Sequence, residues 1–197
     1  ALLGLIPWNF DPDVRALIRT GNVAYEMVRP LDLYTHWYCR AIAQRVAPTL
    51  LRCVPIFLLA GICFGMKAPP SLASGCAWAL TTLAAILLNA AFMNLVTISL
   101  LWTLSGEGII RAAPSVVLVF SGMLVPISFF PNGLQPLLNF LPFRDMVDVP
   151  FRTWLGQIPP TQIAPYIGHQ LLWAGLLILV GRGLLARGTR RLVVEGG

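Results

Sequence analysis

The chain has 197 residues, 57% of them hydrophobic and only 11% charged, with a mean hydropathy of +0.75. A soluble domain carries about 25% charged residues, so this composition excludes an ordinary soluble enzyme and predicts an all-α integral membrane protein, its apolar runs being long rather than alternating. The net charge of +6 does not call for nucleic acid as a partner, because basic residues of membrane proteins collect on the cytoplasmic side.

In chain order, "ALLGLIP" at 1–7 reads as the tail of an apolar helix already under way, so an earlier span is expected before it. Residues 8–45 are the least apolar long stretch. Asp11 is a good N-cap, Pro12 a good first helical residue and Gly21 a left-handed stop. Between them Val14, Leu17 and Ile18 share one face, while Asp13, Arg15 and Arg19 occupy other positions. Asp32 can cap a second helix through "LYTHWYCRAIAQRV". There Leu33, Trp37 and Ile42 form an apolar stripe and Arg40 and Arg45 stay polar. This helix is expected to lie along the inner membrane surface and to bend at Pro48. By pattern alone, the whole stretch is equally a connecting loop with surface helices.

Four spans follow, at 46–66, 72–104, 109–130 and 165–185. Each reaches the roughly 20 apolar residues that a crossing needs. Between the last two, residues 131–164 are not polar. They hold two short helical pieces, 134–141 and 142–154, bounded by proline or glycine. Pieces of that length lie at the interface or dip partly into the membrane. Phe143, Phe151 and Trp154 suit an interfacial aromatic belt. Arg144 with Asp148, and Asp145 with Arg152, are spaced for ion pairs across one or two helical turns. An acid/base pair of Asp145 and Asp148 is the less favoured reading.

Orientation follows from the cations. With 8–45, the turn "SGEGIIR" and the tail after Gly181 inside, and Arg52 near the inner end of its span, that side holds Arg15, Arg19, Arg29, Arg40, Arg45, Arg52, Arg111, Arg182, Arg187, Arg190 and Arg191. Only Lys67, Arg144 and Arg152 remain outside. This bias places the C-terminus in the cytoplasm.

Polar residues inside spans are few. Asn89, Asn94, Thr97 and Ser99 lie in the second span, where such groups hydrogen-bond across helices or line a path. Asn89 and Asn94 are the candidate path-lining residues. Arg52 can snorkel to the inner interface. Cys39, Cys53, Cys63 and Cys76 lack metal spacing and read as packing residues. His36 and His169 are lone histidines. Phosphate-binding GxxxxGK[ST] loops need a lysine, and Lys67 stands in "FGMKAPP", so this chain is expected to bind no cofactor and no metal of its own.

Together "NVAYEMVRPLDLY", "LPFRDMVDVPFRTWLGQ" and "RGTRRLVVEGG" resemble the ABC-2 family of exporter permeases, in its branch of small ABC-type transport system permeases. The resemblance covers essentially the whole chain, beginning within the second of six family spans, and four complete spans remain here. It implies a single ABC-2-type transmembrane domain over 1–197. It also implies that 11–29, including Asp13, Val14, Arg15, Leu17, Ile18 and Arg19, docks on an ATP-binding cassette ATPase as a coupling helix. By the same resemblance, the external re-entrant helices with Arg144, Asp145, Asp148, Arg152 and Trp154 cap the transport path. ATP and Mg would sit on the ATPase, and a second permease, the same or related, would complete the pathway in a bacterial cytoplasmic membrane. The expected activity is outward passage of a hydrophobic or amphipathic compound. The rivals are an ion-coupled carrier and a small intramembrane enzyme, which would need a deep ionisable residue or a clustered His, Glu or Asp constellation.

Overall fold

The structure, a computed structural model, describes residues 10–27, 30–65, 69, 71–103 and 107–195. The expected remnant of an earlier span at 1–7 lies outside the described residues, as do Arg29, Lys67 and the side chains of Arg52, Cys53, Arg190 and Arg191. The described residues form eight α-helices and short 3-10 turns, without a strand among them.

Helix α1, Pro12–Arg19, starts as its sequence dictates. The Asp11 carboxylate accepts from the backbone N–H groups of Asp13 (2.9 Å) and Val14 (3.3 Å), and Pro12 fills the first turn, where no N–H is needed. Gly21, at φ +73°, turns the chain out of the helix. A short helix α2 follows, Val23–Met27.

Helix α3 runs without interruption over Leu33–Phe64, through Pro48. The expected surface helix is therefore the first part of one helix that continues past Pro48. The stripe expected to face the membrane surface faces other helices instead. Trp37 and Tyr34 are buried against Ile98 and Leu185, and Ile42 packs on Ala85 and Ile86. Arg45, expected on a polar face, is buried with its Nε 3.0 Å from the Met93 sulfur. A long arginine stem can cover apolar surface in this way.

Helix α4, Leu72–Ser99, is capped by the Ser71 hydroxyl, which accepts from the Ser74 N–H at 3.1 Å. It continues as a 3-10 turn to Trp102. Helix α5, Glu107–Phe120, stops halfway through the span expected at 109–130. The reason lies in Gly122 and Pro126. Gly122 adopts φ +83° with the Ile127 side chain 3.1 Å from where a Cβ would sit, so the chain folds back instead of continuing. Helices α6, Gln135–Phe140, and α7, Phe143–Trp154, match the two short pieces expected. Helix α8, Ile163–Glu195, extends past the expected span into the C-terminal tail. At 1.5 Å per residue its 33 residues reach about 50 Å.

Two of the described helical stretches are long and apolar enough to cross a membrane, Leu72–Trp102 and Pro160–Thr189. Gly108–Phe120 is a shorter apolar helix. The protein is thus all-helical with two clear apolar spans, rather than a demonstrated set of four. The two spans differ in surroundings: 72% of the apolar window of the first is buried inside the protein, and 17% of that of the second. Helix α4 is the central post and α8 an outer one.

These two run parallel. Gln170 meets Thr81, Ala174 and Leu177 meet Leu88 and Ala91, Leu185 meets Ile98, and Gly188 meets Leu101. Helix α3 runs the other way, with Tyr34 at Ile98, the Tyr38 hydroxyl donating to the Leu87 carbonyl (3.1 Å) and Phe57 at Trp78. Close approach needs small residues. A Cβ on Gly181 would lie 2.9 Å from Tyr34 Cε2. The remaining length of α4 is shared. Ile110 and Ala113 of α5 lie at Met93 and Val96, whereas α7 runs from Phe143 at Phe92 to Trp154 at Trp78. Phe120 and Phe143, at a centroid distance of 6.1 Å, join the two half-length helices.

Candidate functional site

At the Trp102 end of the bundle, α1 and α2 are clamped to the long helices. Arg40 of α3 makes a fork to Asp11, with Nε–Oδ2 at 2.7 Å and Nη2–Oδ1 at 3.1 Å, and Nη2 also reaches Asp13 at 2.9 Å. Asp11 is buried, so one carboxylate both caps α1 and ties it to α3. The hydrogen bond to Asp11 is the main reason that the Arg40 pKa rises above its ordinary value. Trp37 Nε1 donates to Glu26 at 2.8 Å, which ties α2 to the same helix. Val14 and Val23 are buried in a cluster with Tyr34, Trp37, Ile98 and Leu185, and Leu17 and Ile18 pack against it.

The apolar face of α1 thus turns toward its own chain. Asp13, Ala16 and Arg19 are exposed on the outer side, and Arg15 is half-buried. Below, Asp32 pairs with Arg182 of α8 at 3.2 Å and with the Thr35 hydroxyl. The Thr35 hydroxyl is the main cause that holds the Asp32 carboxyl below its usual range.

At the Leu72 end, α7 inserts between helices rather than lying flat. Met146, Val147, Val149 and Thr153 are buried. Trp154 stacks against Trp78 and Phe57 with centroids at 4.9 and 5.1 Å. It therefore fastens α7 to α3 and α4, and Phe143 likewise packs on Phe92 and Phe120.

The ion pairs follow the expectation in part. Arg144 reaches Asp148 at 3.5 Å, but Arg152 also reaches Asp148, at 3.8 Å. The partner of Asp145 is His169 of α8. The expected pair of Asp145 with Arg152 is not formed: seven residues separate them by two turns, about 10 Å along the axis, whereas Asp148 is one turn from each arginine.

The Asp145–His169 contact was not legible in the sequence, because the two residues lie 24 positions apart on different helices. Buried Gln170 continues the seam. Its Nε2 donates to the Asp145 carbonyl at 2.9 Å and to the Thr81 carbonyl at 3.2 Å, so one amide joins α4, α7 and α8. Trp173 Nε1 donates to the Phe140 carbonyl at 2.8 Å and holds α6.

The two candidate path residues are both buried on α4. Asn89 is fully buried, and neither its Nδ2 nor its Oδ1 has a hydrogen-bond partner among the described residues; the Nδ2 of Asn94 has none either. The free cysteines Cys39, Cys63 and Cys76 are exposed, so they point away from the bundle rather than packing within it. Among the described residues no group of three or more His, Cys, Asp or Glu could hold a metal ion.

The two ends of the bundle differ: at the Trp102 end α1 and α2 are fastened by Arg40 and Trp37, and at the Leu72 end α7 is packed against α3, α4 and α8. No curated protein and no solved structure matches the chain. A family model described as "ABC-2 family transporter protein" matches residues 8–196, nearly the whole length, and the chain therefore belongs to the ABC-2 family of membrane transport permeases.

Proposed function

We propose that the chain is the permease subunit of an ABC exporter. It moves a hydrophobic or amphipathic compound outward across a bacterial cytoplasmic membrane, driven by ATP and Mg on a separate ATPase, and pairs with a second permease, the same or related. Helices α3, α4 and α8 cross the membrane, and α5 with its fold-back makes the fourth passage. The Trp102 end and the C-terminus are cytoplasmic, in keeping with eleven of the fourteen Lys and Arg residues lying toward that side.

The observation that carries this reading is the clamp of Asp11 and Asp13 on Arg40, with Val14 and Val23 set among Tyr34, Trp37, Ile98 and Leu185. A push on α1 is thereby handed to α3, α4 and α8 together. Val14, Leu17 and Ile18 act as the anchor of the coupling element to its own bundle, while Asp13, Arg15 and Arg19 meet the ATPase. Rim charges of this kind set orientation and association rate. The re-entrant pair α6–α7 forms the outer gate, through Arg144, Asp145, Asp148, Arg152 and Trp154. Asn89 and Asn94 line the path when it opens. A buried amide without partners costs about 1–3 kcal/mol, and water or cargo in an open path would supply the missing partners.

The test is reconstitution of the intact permease with its ATPase in vesicles. ATP-dependent accumulation of an amphipathic dye in inverted vesicles, weakened together with ATPase binding by Arg19→Glu, is the expected result. Dye movement that ignores ATP would sink the proposal. The Asp145–His169 pair favours the ion-coupled alternative, and that reading would be established by accumulation driven by a proton gradient alone.

A further inference from the structure

Beside the re-entrant helix lies a cavity of about 750 Å³, within the roughly 300–1,000 Å³ range of small-molecule sites. One wall is apolar, made by Met123, Pro126 and Ile127. The fold-back at Gly122, with Ile127 packed over it, sets the position of that wall against α7. The α7 wall carries Arg144, Asp148 and Arg152 interleaved with Val147, Phe151 and Leu155 on one helical face.

The charges are unequal. Both guanidiniums face the same oxygen of Asp148, at 3.5 and 3.8 Å. A charge-assisted hydrogen bond to a carboxylate runs about 2.7–2.9 Å, so neither arginine is fully engaged. Two cations share the one carboxylate that lines the cavity, which leaves N–H donors unused beside an apolar wall. Arg144 is also held in place from outside the ion pair: its Nη1 donates to Asn139 at 2.7 Å, and its guanidinium lies 5.8 Å from the centre of the Tyr166 ring.

We propose that this cavity binds an amphiphile with one anionic headgroup, a carboxylate or phosphate, and one apolar chain. The headgroup sits between Arg144 and Arg152, and the chain lies along Met123, Ile127 and Phe151. Arginine forks suit both headgroups. Asp148 keeps the two arginines apart and competes with the headgroup, so occupancy stays reversible. The inference names the cargo class of the path proposed above and rests on that reading for its role in transport.

The test uses the permease with its ATPase in phosphatidylcholine nanodiscs. The probes are 11-(dansylamino)undecanoic acid, its methyl ester and a dansyl-labelled alkyl amine of matched length. The acid should bind at least tenfold more tightly than the ester, and the amine no better than the ester. Arg144→Gln with Arg152→Gln should abolish that preference, and Asp148→Asn should increase affinity for the acid severalfold. Equal affinities for acid and ester on the unmodified protein would overturn the assignment without reliance on any variant. If phosphatidylglycerol displaces the acid, the anionic group that occupies the site is a resident lipid's. If it does not, and ATP hydrolysis releases the acid, the occupant is cargo. Both results uphold the binding chemistry. Acid-selective binding that ATP leaves unchanged upholds the cavity and overturns the transport reading, while ATP-driven transport of acid and ester alike does the reverse.

Discussion

Asn89→Leu should make the protein more stable and a poorer transporter. Asn89 is fully buried, and both polar ends of its amide lack partners among the described residues. Each such group costs about 1–3 kcal/mol relative to hydration. Leucine has the same branched shape and number of heavy atoms but is larger, so the change removes two unpaired groups without opening a cavity, and packing strain offsets part of the gain. A net stabilisation of about 2 kcal/mol is expected. For a chain of this size, 1 kcal/mol moves Tm by about 2–4 °C, so Tm should rise by about 4–8 °C. Thermal unfolding followed by tryptophan fluorescence reads this directly, and ATP-driven transport in vesicles reads the cost. Asn89→Ala, which leaves a void, should gain less stability while losing the same transport. A lower Tm for Asn89→Leu would refute the reasoning, because it would mean that the amide has partners in the folded protein. A higher Tm with undiminished transport would refute the role of Asn89 in the path.

Other outcomes follow from single contacts. Arg40→Ala leaves buried Asp11 without its charged partner and should cost about 1–3 kcal/mol; trypsin should then cut α1 faster at Arg15 and Arg19, and adding Asp11→Asn should restore part of the loss because asparagine still caps the helix. Gly181→Ala places a methyl 2.9 Å from the Tyr34 ring and should cost about 1–3 kcal/mol, with Tyr34→Leu in the same chain recovering some Tm.

Much of the helical plan was legible, for local reasons. Asp11-Pro12 with Gly21 gives α1, and the prolines and Gly133 around 134–154 give α6 and α7, since caps and breakers act within a few residues. The long apolar run gives α4. What was not legible depends on distant partners. The stripe Leu33–Trp37–Ile42 was read correctly as apolar, yet a stripe does not say whether lipid or another helix covers it, and here α4 and α8 do. The same holds for α1, whose apolar face is satisfied by Tyr34 and Trp37 of its own chain. In α5 the apolar residues continue to Phe130, and hydropathy outweighed Gly122 and Pro126, although those two were visible signals of the fold-back. Asp145 found His169 because α7 inserts beside α8, a tertiary event that no spacing within α7 encodes. Asn89 and Asn94 stand out in the sequence by chemistry alone, and both are buried on α4.

The account's central claim is that α1 hands the ATPase's motion to the membrane helices through its buried face. The most direct measurement is the number of cargo molecules moved per ATP hydrolysed, for Leu17→Asp in the reconstituted permease–ATPase complex. Leu17 packs on the cluster of Val14, Tyr34, Trp37 and Ile98, so a carboxylate there should loosen α1 from the bundle while the exposed outer side of α1 is left unchanged. The predicted result is retained ATPase binding and hydrolysis with transport per ATP reduced at least tenfold. Unchanged transport per ATP, in a protein shown to be folded, would contradict the claim.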